Sequence, residues 1–265
     1  TKNQGLEIAA EVIPVKNDNL TVAIGGNITF QNSELTDLVE GAPNFGIETG
    51  GIAGGIGNNI QIQTVGYTPN SFFVYEQAYD NAGNPIDGVF IDRNGDGSIT
   101  TADRYIYKKP SADIFYGFYT NLTYKNWFAG LSMRSELGGT IYNNIHSNNA
   151  TFQAVNGTLG FLNNISNLYE INQVQKNNER QLLSDHYLEK ANFLRMDYLN
   201  VGRKFDKMSV ALTVSNVFVV TKYKGLDPDV NLRTSGNDNQ DTHMGIDEGA
   251  FPVAKSYNVG LRVGF

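Results

Sequence analysis

Apolar and polar residues alternate with a period of two along several separated stretches, which predicts β-strands carrying one apolar face. The clearest stretch is KSYNVGLRVGF (255–265). Tyr257, Val259, Leu261, Val263 and Phe265 share one face, and Ser256, Asn258, Gly260, Arg262 and Gly264 share the other. Earlier, Leu6, Ile8, Ala10 and Val12 alternate before KNDN (16–19), and Leu20, Val22, Ile24, Ile28 and Phe30 alternate after it. Ile114, Tyr116, Phe118, Leu122 and Tyr124 lead into Lys125-Asn126, and Trp127, Ala129, Leu131 and Met133 follow, opposed by Ser132, Arg134 and Glu136. FLRMDYLNVGRKF (193–205) meets a turn at Asp206-Lys207, after which Met208, Val210, Leu212 and Val214 continue. Its register slips, and a bulge near Asp197 explains the slip.

Long polar stretches, roughly 34–112, 139–187 and 221–252, separate these hairpins. Loops of that length are unusual in a compact soluble domain. Short turns at one rim and long loops at the other are the pattern of an outer-membrane barrel, whose apolar set faces lipid and whose Ser, Arg, Glu, Asn and Gly set faces a wet lumen. Tyr124, Trp127 and Phe205, beside short turns, suit an interfacial aromatic girdle. A soluble sandwich, with apolar faces buried against each other, is the alternative that alternation alone leaves open. The pattern yields about seven long strands, an odd number that would leave two open edges in lipid, each a row of costly unpaired backbone groups. The expectation is therefore the C-terminal part of a larger barrel.

Composition narrows the classes. Hydrophobic residues make up 40% and charged residues only 18% of the 265, which favours an all-β protein that could face lipid. A net charge of −7 leaves no basic stripe for nucleic acid. The absence of cysteine excludes disulfides and thiolate metal sites. No apolar run is long enough for a transmembrane helix. The chain begins at Thr1 with no visible signal peptide, the expectation for a mature or truncated piece.

The best-defined candidate site is DRNGDGSITTAD (92–103). Asp92, Asn94, Asp96, Ser98, Thr100 and Asp103 occupy the liganding positions of an EF-hand-type calcium loop, with Gly97 at the sharp turn. Asp103 stands where an EF-hand has a longer, bidentate Glu, as in dockerin-like loops, and a fully ligated ion there would steady the loop rather than catalyse. The competing reading is a bare Asn-Gly and Asp-Gly turn without metal. GGIAGGIG (50–57) fails the dinucleotide-binding pattern and reads as a surface loop. His146, His186 and His243 are far apart in sequence, no triad-like motif is present, and nothing supports an enzyme. Asp227 and Asp229 are expected to order a turn around Pro228.

SDHYLEKANFLRMDYLNVGRKF (184–205), VSNVFVVTKYKGLDPDV (214–230) and GIDEGAFPVAKSYNVGLRVGF (245–265) together resemble the SusC/RagA-type TonB-dependent outer-membrane transporters. FIDRNGDGSITTAD (90–103) and KKPSADIFYGFYTNLTYKNW (108–127) match that family's calcium-like loop and the strand after it, so the resemblance covers most of 90–265. It implies an all-β antiparallel transmembrane barrel of roughly 22 strands with a plugged lumen, of which residues 1–265 are the C-terminal strands. Region 34–112 would then be a long extracellular loop holding the calcium loop. It implies import of oligosaccharides or peptides, energised through TonB by N-terminal parts outside this chain, with a SusD-like surface lipoprotein capping the outside. It places the protein in the outer membrane of a Bacteroidetes-type bacterium, surrounded by lipid. Phe265 resembles the terminal aromatic read by the outer-membrane insertion machinery during assembly. Substrate-contacting residues are not assigned singly. The runner-up is a secreted all-β binding module with a dockerin-like calcium loop.

Overall fold

The computed structural model describes residues 1–42, 45–52, 58–155, 166–175, 179–230, 244–249 and 251–264. A seven-stranded antiparallel sheet forms a wall, and its strands are adjacent in chain order: Lys2–Lys16, Leu20–Glu34, Ile114–Tyr124, Trp127–Leu137, Phe193–Lys204, Met208–Thr221 and Ser256–Val263. Three pairs are joined by tight turns at one rim, the turn side. The long connections all leave from the opposite rim, the loop side.

Cross-strand register sorts the two faces. Val12 pairs with Ile24, Ile24 with Thr120 and Thr120 with Leu131, and Leu131, Leu199, Val214 and Tyr257 continue the row across the remaining strands. This row belongs to the outer face, where Leu122, Val201, Leu212, Val259 and Leu261 also stand exposed. One residue along, Ala23, Asn121, Gly130, Asn200, Thr213 and Asn258 form the polar or small inner face. Two aromatic rings lie on that inner face because glycines make room for them. A Cβ on Gly202 would run into the Phe128 ring, and one on Gly25 into the Tyr119 ring.

Asp197 is the bulge. Pairing passes from Met196 to Tyr198 against both neighbouring strands, which leaves Asp197 unopposed and re-aims its carboxylate inward. A second irregularity falls between Val12 and Val15 in the first wall strand. At the turn side, the Arg203 guanidinium lies over the rings of Trp127 (5.3 Å) and Phe205 (5.0 Å), and Lys125 over Tyr124 (5.5 Å). Aromatic bodies with cationic tips at strand ends are the makeup of a membrane interface.

The buried core is not in the wall. Ile60, Phe72, Val74, Tyr142, Leu182 and Tyr187 pack together, and all of them come from the long connections. Those connections therefore fold into a unit of their own on the loop side. It contains a four-stranded sheet (Gly46–Gly51, Asn59–Thr64, Ser71–Val74, Tyr105–Ile106) and a three-stranded one (Leu188–Lys190, Thr140–Asn143, Ile246–Asp247).

A lysine at Leu212, mid-strand on the outer face, is expected to cost about 2–4 kcal/mol in lipid, whereas a lysine at Thr213, facing inward, costs little. Unfolding of each variant of the complete protein in lipid, followed by heat-modifiable gel mobility, measures the difference. Equal losses would mean that the two faces are not differently solvated.

Candidate functional site

Loop 92–103 is closed by its own carboxylates. Asp92 accepts from the Gly95 N–H at Oδ1 and from the Gly97 N–H at Oδ2, both at 2.7 Å. Asn94 Oδ1 accepts from the Asp96 N–H (2.9 Å), and Asp96 Oδ1 accepts from the Ser98 N–H (2.8 Å). Asp103 is fully buried. It accepts from the backbone N–H groups of Thr100 (2.8 Å), Arg93 (2.9 Å) and Asn94 (3.3 Å). These donors, that of Thr100 foremost, hold the Asp103 carboxyl below its usual pKa. Thr100 caps the short 3-10 turn Thr101–Asp103 by accepting from the Ala102 N–H (3.2 Å). Gly95 and Gly97 both have positive φ, at 74° and 85°, a backbone that side-chain-bearing residues resist.

Both ends of the loop are bolted to the folded unit. Arg93 pairs with Glu76 and lies 4.1 Å over the Tyr105 ring. Arg104 reaches Glu48 (2.9 Å) and the Asn59 and Phe73 carbonyls (2.7 Å each), with its guanidinium 4.1 Å over the Phe73 ring. Among the described residues no group of three His, Cys, Asp or Glu side chains is gathered closely enough to hold a metal. The loop thus has the calcium-type spacing and turn, but its carboxylates are oriented by backbone donors rather than drawn into a finished cage. Asp92 keeps unused lone pairs, whereas Asp103 is largely committed.

A second constellation lies on the inner face of the wall. Arg134 reaches Asp197 (3.0 Å), Asp229 (2.6 Å) and Glu136 (3.4 Å). Arg195, nearly fully buried, pairs with Asp227, and both guanidiniums lie within 5.6 Å of the Phe193 ring. Asp227 also accepts the Asp229 N–H (2.9 Å), so Leu226-Asp227-Pro228-Asp229 is a tight turn clamped against two arginines of the wall. The turn around Pro228 is as expected, but its partners were not foreseen. An arginine on the small-residue face of a strand, followed downstream by an Asp-Pro-Asp segment, is the signal that could have found them. Ser132 sits on the same inner face, opposite Tyr198.

The fold also brings together two of the three histidines. His146 and His186 have ring centroids 5.7 Å apart, and each stacks edge-on against Tyr187, at 5.2 and 5.1 Å. Burial, reinforced by His146, pushes His186 down to about 4. His186 Nδ1 contacts the Tyr79 hydroxyl (3.0 Å), whose own pKa burial raises to about 12. Glu189 lies 3.7 Å from His146 Nδ1. His243, Phe265 and most of GGIAGGIG lie outside the described residues.

Arg195→Leu is expected to strand the Asp227 carboxylate and to cost about 3–5 kcal/mol, with segment 222–230 cut faster by protease in the complete protein. Arg195→Leu combined with Asp227→Leu should recover most of that loss. If the double variant is as labile as the single, the clamp is not what holds the turn.

No family model matches the chain. Over its whole length it is 33% identical to the TonB-dependent receptor SusC of Bacteroides thetaiotaomicron, covering 26% of that protein. It is 26% identical to the TonB-dependent receptor P3 of Formosa agariphila, again over its whole length and covering 29% of it. Among solved structures, the RagAB peptide transporter superposes with a TM-score of 0.71 at 21% identity, over 99% of this chain and 29% of that one. The chain thus spans between a quarter and a third of the proteins it matches. The chain is therefore similar, over its whole length, to part of the SusC/RagA-type TonB-dependent transporters, and its fold is shared with part of the RagAB transporter.

Proposed function

We propose that this chain is part of the wall and outer loops of an outer-membrane importer that takes up nutrient oligomers by a TonB-dependent cycle. The observation that carries this reading is the inverted burial of the wall. Val259 is 75% and Leu261 65% exposed, and Leu6 and Val12 are each 58% exposed, while the core sits in the loops. A soluble binding module would have to cover that apolar face, and a bilayer covers it without further protein. Further strands of the complete protein close the two open edges into a barrel of roughly 22 strands. The loop side, including region 34–112, then faces the cell exterior, and Ser132, Arg134 and Glu136 face the lumen.

The cargo class is oligosaccharide or peptide. A relative is named SusC and a structural neighbour is a peptide transporter, so the choice between the two rests with the cargo assay. TonB engages parts of the protein beyond this chain, and a SusD-like lipoprotein covers the loop side. The insertion machinery reads the Phe265 end, and the organism is of Bacteroidetes type, as are those of the relatives. The activity is transport, not catalysis. Deleting the gene, or disabling TonB, should abolish growth on the cognate oligomer, and the intact protein should fractionate with the outer membrane and need detergent for extraction. Full-length protein that is soluble without detergent would leave the secreted binding module as the answer.

Calcium at loop 92–103 belongs to the same reading. Asp92, Asn94 and Asp96 would supply side-chain oxygens, Ser98 its carbonyl and Thr100 a direct or water-borne contact, with Asp103 closing the loop by giving up part of its backbone bonding. The support is the complete spacing and the lone pairs left on Asp92. Asp92→Ala with Asp96→Ala loosens residues 90–110 whether or not an ion binds, because both carboxylates already brace the backbone. The chelator decides: calcium removal should speed proteolysis of this segment in the parent protein several-fold and leave the double variant unchanged. Equal cutting of the parent with and without chelator would leave the loop a bare turn.

A further inference from the structure

A crevice of about 400 Å³ opens on the outer face of the wall at its loop-side rim. Leu137, Leu194 and Val220 form its apolar floor, and Lys190, Asn192 and Lys222 stand at its edge. Its position follows from the register. Ser135 opposes Leu194 and Leu194 opposes Val220, so the floor continues the apolar belt rather than the lumen.

The height of the crevice can be worked out from the strand beneath it. From Trp127 at the turn-side girdle to Leu137 is one continuous strand. Its ten steps rise roughly 34 Å, and a tilt of about 45° projects this to about 24 Å along the membrane normal. That equals the apolar band of about 25 Å typical of such barrels. The crevice therefore lies one hydrocarbon thickness above the girdle, where lipid headgroups meet acyl chains.

Its hydrogen-bonding inventory favours an anion. The Ser135 hydroxyl is donated to the Phe193 carbonyl (2.7 Å) and the Thr221 hydroxyl to the Asn192 carbonyl (2.8 Å). Asn192 Oδ1 accepts the Gly138 N–H (2.9 Å). The unspent donors are the two ammonium groups and the Asn192 amide. Lys190 and Lys222 are exposed and, among the described residues, form no ion pair, and no carboxylate lines the crevice. Carboxylates nearby are already engaged. Asp113 pairs with Lys109 (2.5 Å), and Glu189 accepts from the Asn143 amide (3.1 Å) and the Lys224 N–H (2.9 Å).

We propose that this crevice binds a phosphorylated lipid of the outer leaflet. The two lysines take the phosphate, and one acyl chain lies along Leu137, Leu194 and Val220. The inference rests on the membrane reading above, since it needs the loop side to be the outer rim. Two like charges held without a counter-ion over apolar surface are matched by an amphiphilic anion and by neither a neutral lipid nor a free ion.

The test uses the complete transporter in phosphatidylcholine nanodiscs doped with lipid A, with bound lipid counted by native mass spectrometry. The parent should retain lipid A and discriminate against its dephosphorylated form, a comparison that needs no variant. K190Q/K222Q should lower retention about tenfold or more, and K190R/K222R should keep it. Equal retention by parent and K190Q/K222Q, or equal retention of the dephosphorylated lipid, would overturn the proposal and reduce the lysines to snorkelling side chains. Displacement of the lipid by millimolar inorganic phosphate would overturn it in favour of a free-anion site. Failure of the transporter reading is separately visible, as a parent protein absent from the outer-membrane fraction, and it removes this site with it.

Discussion

The structure depends on a single constraint: in hydrocarbon, every backbone N–H and C=O must be paired by another part of the protein. Antiparallel strands in chain order meet that demand locally, each strand taking its partner from the hairpin before or after it. Side chains then sort by the two-residue period alone. Hydrophobic residues on the outer face need no core, because lipid takes the place of one. The inner face is free to be small and polar, which is why Gly25 and Gly202 can let rings lie flat on the wall. The same constraint explains why the apolar core had to form elsewhere. Connections on the loop side stand in water, and they must bury Phe72, Tyr142 and Tyr187 against one another to hold any shape at all.

Two arginines tie these differently solvated parts together. Arg134 and Arg195 rise from neighbouring wall strands and close on Asp229 and Asp227 of a turn that follows the next wall strand. The bulge at Asp197 adds a third carboxylate to the set, so an irregularity in strand pairing becomes a piece of the clamp. Arg195 and Asp227 are nearly closed to bulk water, so their pairing is worth more in fixing the turn's position than in net stability. A wall that carries arginines on its inner face can in this way set where a loop-side turn sits.

Strands were legible because their period is short and their faces are strongly contrasted. Most of the outer row from Val12 to Tyr257, though not Thr120, and the slip at Asp197 could be read from residue type. The loop-side unit was not legible. Its strands run from two to six residues, too short for alternation to register, and its core joins residues as distant as Ile52 and Ile246. Separation in sequence likewise hid the contact of His146 with His186 and Tyr187 and the reach of Arg195 to Asp227. Loop 92–103 was legible in spacing and turn chemistry, because Asp92, Asn94 and Asp96 bond to backbone two to five residues away and such bonds are written locally. What fastens it, Arg104 reaching Glu48 and the Phe73 carbonyl, is tertiary and left no local mark.

That fastening bears on how the loop can move. A hairpin tip held only by its own Asx bonds would swing about its two stems. Here Arg93 and Arg104 flank the loop, and each is fixed both by a carboxylate and by an aromatic face. Arg104, almost fully buried, also satisfies two backbone carbonyls of the four-stranded sheet, so moving the loop would strand a buried charge and two acceptors at once. Loop 92–103 therefore moves with the loop-side unit or not at all. An ion bound within it would stiffen a segment already anchored at both ends. Any motion of this segment must then come from displacement of the unit as a body, not from flexing of the loop.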